Sequence, residues 1–217
     1  MSARPDVVVV DHHDSYTWNL VHLVAQVTGV LPRVVQHDEV EPDDVLAHSH
    51  VVLSPGPGRP DSRADFAVGR EVLLAGTRPV LGVCLGLQGL VTTYGGTVAR
   101  TRPAHGQVSL VSHDGAGLFA GLPQHFRAVR YHSLAAISLP ACLEVTAVCA
   151  GPVAGLVSGR VSGSVAGAAG DPADPDGDWV VMGVRHVDLP QQAVQFHPES
   201  ILSEHGAEMV ASFLARR

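Results

Sequence analysis

Cys84 stands in the stretch GVCLGLQ (82–88), where an apolar run gives way to glycine and leucine. A strand, a sharp turn and a helix in that order would present the sulfur as a nucleophile. Gly82 and Gly86 would relieve the crowding of such a turn. The N–H groups and dipole at the start of the helix would favour thiolate over thiol. A cysteine that merely fills a hydrophobic core is the competing reading of the same residue.

Two other stretches could complete the chemistry. SPGPGRP (54–60) interleaves glycine with proline in a rigid loop. Its backbone N–H groups, around Gly56, Pro57 and Gly58, could hold an oxyanion that develops only in the transition state. QFHPES (195–200) places His197 two residues from Glu199. On an extended segment these share a side, and Pro198 biases His197 toward that backbone. The carboxylate would fix the tautomer of the imidazole, which could then move protons to and from a thiol. An ordinary turn and an incidental pair are the plain alternatives for each stretch alone. Together the three describe a Cys84–His197–Glu199 triad with an oxyanion loop.

The elements that would position these residues alternate between strand and helix. Residues 6–11, 33–38, 50–55 and 79–84 are β-branched runs that predict strands. Helices are predicted over 14–29, with Leu20, Leu23, Val24 and Val27 on one face, over 64–75, and over 85–94. Asp14 is the expected cap of the first helix, and Gly29 its stop. Near-continuously apolar strands alternating with helices indicate a parallel sheet covered on both faces. Such sheets bind ligands at the carboxyl ends of their strands, where the three stretches fall. Beyond residue 97, GTVAR, QVSLVS, FRAVRYHS, LEVTAV, WVVMGVRH and QAVQFHP read as strands added to the same sheet in antiparallel or mixed fashion. The last stretch, 203–217, predicts an amphipathic helix carrying Met209, Val210, Phe213 and Leu214. The fold class is therefore α/β, an open, mixed, mainly parallel sheet flanked by helices, in one domain over 1–217. Residues 158–178, rich in Gly, Ala, Ser, Pro and Asp, are expected to form a long mobile surface loop.

Composition narrows the class. Of 217 residues, 46% are hydrophobic and 16% charged, which excludes whole-chain disorder. A net charge of −7 without a basic stripe argues against nucleic acid as a partner. The four-valine run near the N-terminus is too short for a signal or a membrane span. Three cysteines with no CxxC pair fit a reducing compartment, so a soluble cytoplasmic protein is expected. Thirteen histidines invite a metal hypothesis, but HH at 12–13 and HSH at 48–50 lack Cys or carboxylate companions at usual ligand spacing, and no metal site is expected.

The motifs DHHDSYTWNLV, LSPGPGRP, LGVCLGLQGL, HG (105–106), RYHSL and QFHPESILSEHG, in this order, resemble those of class I, triad-type glutamine amidotransferases with a flavodoxin-like fold. The resemblance covers nearly the whole chain. DSYTWNL, PGPG and RYHSL are similar to the glutaminase components of chorismate-using aminases. This implies attack by Cys84 on the side-chain amide of L-glutamine, with the oxyanion on N–H groups of the Gly56 region and Leu85. It further implies protonation of the leaving ammonia by His197, oriented by Glu199, and hydrolysis of a thioester. Gly56, Pro57, Gly58, Gln88, Ser133 and Leu134 would line the glutamine pocket; strand and core are the alternative for the last two. No cofactor is implied for this chain, magnesium belonging to a chorismate-binding synthase partner that receives ammonia, as a separate subunit or fused domain. The stretch following PGPG, with Asp65-Phe66, looks more like the aminodeoxychorismate type than the anthranilate type. A thiol hydrolase of γ-glutamyl peptides and a non-catalytic regulatory module are the remaining alternatives. One departure stands out: Leu87 replaces the histidine common in relatives, which bears on coupling to the partner more than on chemistry.

Overall fold

A computed structural model describes residues 4–151, 160–161 and 179–216. β1 (Val7–Asp11), β2 (Arg33–Gln36), β3 (His50–Leu53), β4 (Val80–Val83) and β12 (Gln191–Val194) form a parallel block in the order β2-β1-β3-β4-β12. The four valines of β1 show why both faces must be covered. Val7 and Val9 pack into one apolar cluster with α1 (Thr17–Thr28) and α5 (Gly206–Leu214). Val8 and Val10 pack into a second, with α2 (Pro42–Leu46), α3 (Ala67–Ala75) and α4 (Leu85–Thr93). Successive side chains of a strand point to opposite faces, so an unbroken apolar run is what a sheet buried on both sides requires. Each fully buried valine contributes about 1.5–3 kcal/mol relative to exposure.

Antiparallel strands extend this block. β11 (Trp179–His186) pairs with β12, then β9 (Leu143–Ala150), β6 (Gln107–His113) and β7 (Phe126–Arg130) follow outward. β5 (Thr97–Arg100) and β8 (Leu134–Ser138) form a separate two-stranded sheet, so GTVAR is not an addition to the main one. β8 was not expected. The run FRAVRYHS stops being strand at Arg130, and the chain turns before Leu134 starts β8. Within 158–178, Arg160–Val161 pair with β9 as β10, and the rest of the expected loop lies outside the described residues.

Boundaries differ for local reasons. Asp14 does not cap α1: its Oδ1 accepts from Tyr16 N–H at 2.7 Å, closing a turn ahead of a helix that begins at Thr17. Gly29 does end α1, its N–H donating to Ala25 O at 2.8 Å. The helix expected from 64 begins at Ala67. The short α2, with Pro42 at its first position and Asp43 and Asp44 in its first turn, is too brief to show a period. No helix among the described residues is long and apolar enough to cross a membrane.

Candidate functional site

β3, β4 and β12 are neighbours, and their carboxyl ends bring the three motif stretches together. Cys84 follows β4 directly and caps α4 at φ 52°, ψ −96°. A non-glycine residue in that region costs on the order of 1–3 kcal/mol, so its surroundings must enforce it. They do so with backbone bonds and close packing. Cys84 N–H donates to Val194 O at 2.8 Å, and Gln88 N–H to Cys84 O at 3.1 Å. A methyl group at Gly82 would lie 2.6 Å from the Gly86 carbonyl carbon, and one at Gly86 would lie 2.6 Å from Leu53 O. Strand, elbow and helix can approach this closely only with glycine at both positions.

His197 and Glu199 meet as expected, but not on an extended segment. β12 ends at Val194, and 197–200 form a turn in which Ser200 N–H donates to His197 O at 3.2 Å. Pro198 occupies the second position of that turn, where its fixed φ is favoured. Within it, His197 Nδ1 and Glu199 Oε1 are 2.6 Å apart, both side chains buried. A carboxylate can only accept, so Nδ1 carries a hydrogen, and Nε2 is the atom left for other chemistry. Nε2 is buried without a hydrogen-bond partner among the described residues. Burial pulls the imidazole pKa down. The Cys84 sulfur and the Glu199 carboxylate outweigh it and raise the pKa from 6.5 to about 10. The arrangement therefore favours the imidazolium form of His197.

Aromatic rings flank this imidazole. The Tyr131 ring meets it edge-on at 5.2 Å, the Tyr16 ring at 5.7 Å, and the two tyrosines stack at 5.2 Å. Sequence reasoning did not single them out, although DSYTWNL and RYHSL contain them.

The remaining candidates divide. A methyl group at Gly56 would lie 2.7 Å from Leu85 Cδ2 and 2.6 Å from His12 Cβ, which places the glycine-proline loop tightly against the elbow. Leu85 is the first residue of α4, so its N–H has no intrahelical acceptor. Gln88 is buried and donates to Leu134 O at 3.2 Å, joining two candidates. Pro57 and Gly58 are exposed, and Gly58 sits against Asp65 rather than the elbow. Ser133 is also exposed, its carbonyl accepting from Thr101 N–H at 2.9 Å. Leu87 is wholly buried in the second apolar cluster and presents no surface. Gln195, which the sequence did not flag, donates through Nε2 to Cys84 Sγ at 3.5 Å.

The histidine pair at 12–13 does acquire a carboxylate neighbour, Asp38, through a 3.1 Å contact to His13 Nε2, with His37 close by. His37 Nδ1 accepts from Ala67 N–H, so its Nε2 carries the ring hydrogen and has no lone pair for a cation.

Two other histidines are held neutral. Burial first, then His37, lowers the pKa of His12 to about 3. Burial first, then the Arg130 guanidinium, does the same to His132, whose Nε2 accepts from Arg130 Nε at 3.0 Å. With the unfolded value near 6.5, the unfolded chain takes up these protons first as pH falls. The contribution of these two histidines to stability is therefore full above about pH 6.5 and declines toward pH 3, by up to about 1.4 kcal/mol per pH unit for each. Urea unfolding at pH 7 and pH 5 should show this loss, and His12→Asn should make it smaller.

Comparisons with known proteins bear on the family. The family model described as "Glutamine amidotransferase class-I" matches residues 8–161 and 172–216. The chain is 41% identical to an aminodeoxychorismate synthase of Streptomyces griseus over 95% of its own length, and spans only 25% of that protein. It is also 41% identical to an anthranilate synthase component 2 of Haloferax volcanii, over 96% of this chain and 94% of that one. A crystal structure described as a GMP synthase subunit from Thermoplasma acidophilum superposes with a TM-score of 0.77 at 20% identity, covering 99% of this chain and 94% of that one. A glutamine amidotransferase from Thermotoga maritima does so at 0.60 and 16%, covering 91% and 77%. Those two likenesses speak for the fold alone. With the family model running from β1 to α5 across the elbow and the His197 turn, the chain belongs to the class I glutamine amidotransferases.

Proposed function

We propose that this chain hydrolyses L-glutamine through a thioester on Cys84 and hands the ammonia to a chorismate-aminating synthase. The observation that carries the reading is the buried 2.6 Å pair of Glu199 and His197, coupled electrostatically to a cysteine on a strained elbow. Cys84 Sγ attacks the side-chain amide carbon, and the C=O electron pair moves onto oxygen. The N–H of Leu85 and those of the loop at Gly56 would hold that oxyanion, with Pro57 and Gly58 extending the loop. As the oxyanion collapses the C–N bond breaks, and His197 gives its proton to the departing nitrogen. Water, deprotonated by His197, then attacks the thioester and releases glutamate and the thiolate. Glu199 keeps His197 in the required tautomer throughout. Gln88, Ser133 and Leu134 hold the amino-acid end of the substrate.

The surface beside His197 suits delivery to a partner. Tyr16, Tyr131 and Glu199 form part of the wall of an open groove of about 500 Å³. Ile201, 99% exposed, and Leu202 put apolar side chains in solvent at its wall, and the exposed Trp18 ring lies 6.5 Å from that of the lining residue His22. Exposed apolar groups gathered at a groove are a feature of protein interfaces. The aminating partner would be of the aminodeoxychorismate type, by the resemblance of the stretch that follows PGPG, with Asp65-Phe66. The anthranilate type is the second reading, favoured by a relative that this chain matches almost end to end. Incubation with each synthase, chorismate and glutamine separates the two. Formation of 4-amino-4-deoxychorismate is expected, and anthranilate as the only aminated product would overturn the choice of branch.

A further inference from the structure

Gln195 is wholly buried at the end of β12, and neither the triad nor the expected pocket makes use of it. Its amide is one link in a chain whose polarity is fixed from one end. Leu134 O is a backbone carbonyl and can only accept, so the Gln88 group facing it at 3.2 Å must be Nε2. The same Gln88 Nε2 lies 3.3 Å from a Gln195 side-chain atom, which must therefore be the acceptor Oε1. That leaves Gln195 Nε2, which can only donate, 3.5 Å from Cys84 Sγ. An amide turned the other way would set two donors against each other at Gln88 and an oxygen against the sulfur. The direction of the bond to sulfur is thus imposed by a carbonyl three links away, rather than chosen by the cysteine.

We infer that Gln195 is a positioning residue for the nucleophile, which holds Cys84 Sγ at the elbow and stabilises its thiolate through a donated N–H, locked in that orientation by Gln88 and Leu134. A hydrogen bond to the charged form of a group favours that form, the more so where water is excluded. Gln195 does this without a proton of its own to lose, so its effect does not vanish with pH. His197, itself paired with Glu199, interacts with the sulfur, and both residues remain in the variants below. The inference rests on the reading of Cys84 as the nucleophile of the glutaminase.

The test follows alkylation of Cys84 by iodoacetamide across pH in the intact chain, read on the Cys84 peptide by mass spectrometry so that Cys142 and Cys149 do not interfere. Gln195→Leu removes the donor. Its alkylation profile should move upward by about one pH unit, with alkylation near neutral pH roughly tenfold slower. Glutamine turnover should fall by a similar factor through kcat, with KM little changed, and should recover as the pH is raised. A merely structural role would give no such recovery. Gln195→Glu keeps the shape and the acceptor for Gln88 but sets an oxygen against the sulfur, so it should shift the profile further; it decides the matter if the leucine variant does not fold. A wild-type alkylation profile in a folded variant would overturn the inference. Wild-type protein that alkylates at Cys84 but turns over no glutamine would instead count against the glutaminase reading, and the profiles would still decide the role of Gln195.

Discussion

Serine at position 84 should abolish glutamine-dependent amination while leaving amination fed by added ammonium intact. The elbow makes this substitution unusually clean. The strained backbone at φ 52° is enforced by Gly82, Gly86 and the bond to Val194 O, none of which depends on sulfur. A hydroxyl fits the same space, so the fold and the groove beside His197 should survive. What is lost is a sulfur nucleophile, since a serine hydroxyl is much the weaker one without a stronger base beside it. A fall on the order of 10³-fold or more in glutamine turnover is expected, in keeping with loss of a nucleophile from a coupled triad. Separate rates with glutamine and with ammonium, measured against a synthase partner, check both halves of the expectation.

His197→Asn should be almost as severe, at about 10³–10⁴-fold, because no other group in place of the imidazole can take the thiol proton and return one to ammonia. Its Nε2 is buried and is the ring nitrogen that Glu199 leaves unengaged. Asparagine retains a polar group of similar reach and keeps the turn at 197–200, so the loss should appear in kcat, with glutamine binding little altered. Glu199→Gln should cost about one to two orders of magnitude less, since it disturbs the tautomer and orientation of His197 but leaves the proton carrier in place. Steady-state glutaminase rates for the two variants supply the ratio. Equal losses would mean that the carboxylate does more than orient.

The order of these effects was readable in the sequence, because the residues concerned sit in stretches whose local geometry is nearly self-determined. β1, β3 and β4 are short, fully buried apolar runs, and such runs leave little choice but a covered parallel sheet. The cysteine between two glycines follows from the same logic, since only a crowded turn needs both. Where the sequence misled, tertiary contacts had decided the outcome. QAVQFHP looks extended throughout, yet the chain bends after Val194, and the His197–Glu199 pair is made by a proline turn instead. β8 is alanine-rich and follows RYHS without a turn signal, so only its pairing with β5 identifies it. Gln195 could not be found at all. A glutamine looks the same in sequence whether it faces water or a sulfur, and its role emerges only from the carbonyl of Leu134, distant along the chain, which orients Gln88. The tyrosines at 16 and 131 are similar: each is unremarked until the fold sets both against one imidazole.

The claim on which the rest depends is that an acyl group passes through Cys84. It is tested most directly by mixing the wild-type chain with a chorismate-aminating synthase and glutamine, quenching in acid during turnover, and mapping the digest by mass spectrometry. A γ-glutamyl group on the Cys84 peptide, absent from Cys84→Ser, is the expected result. A γ-glutamyl group on a different residue, or undiminished glutamine turnover by Cys84→Ser, would contradict it.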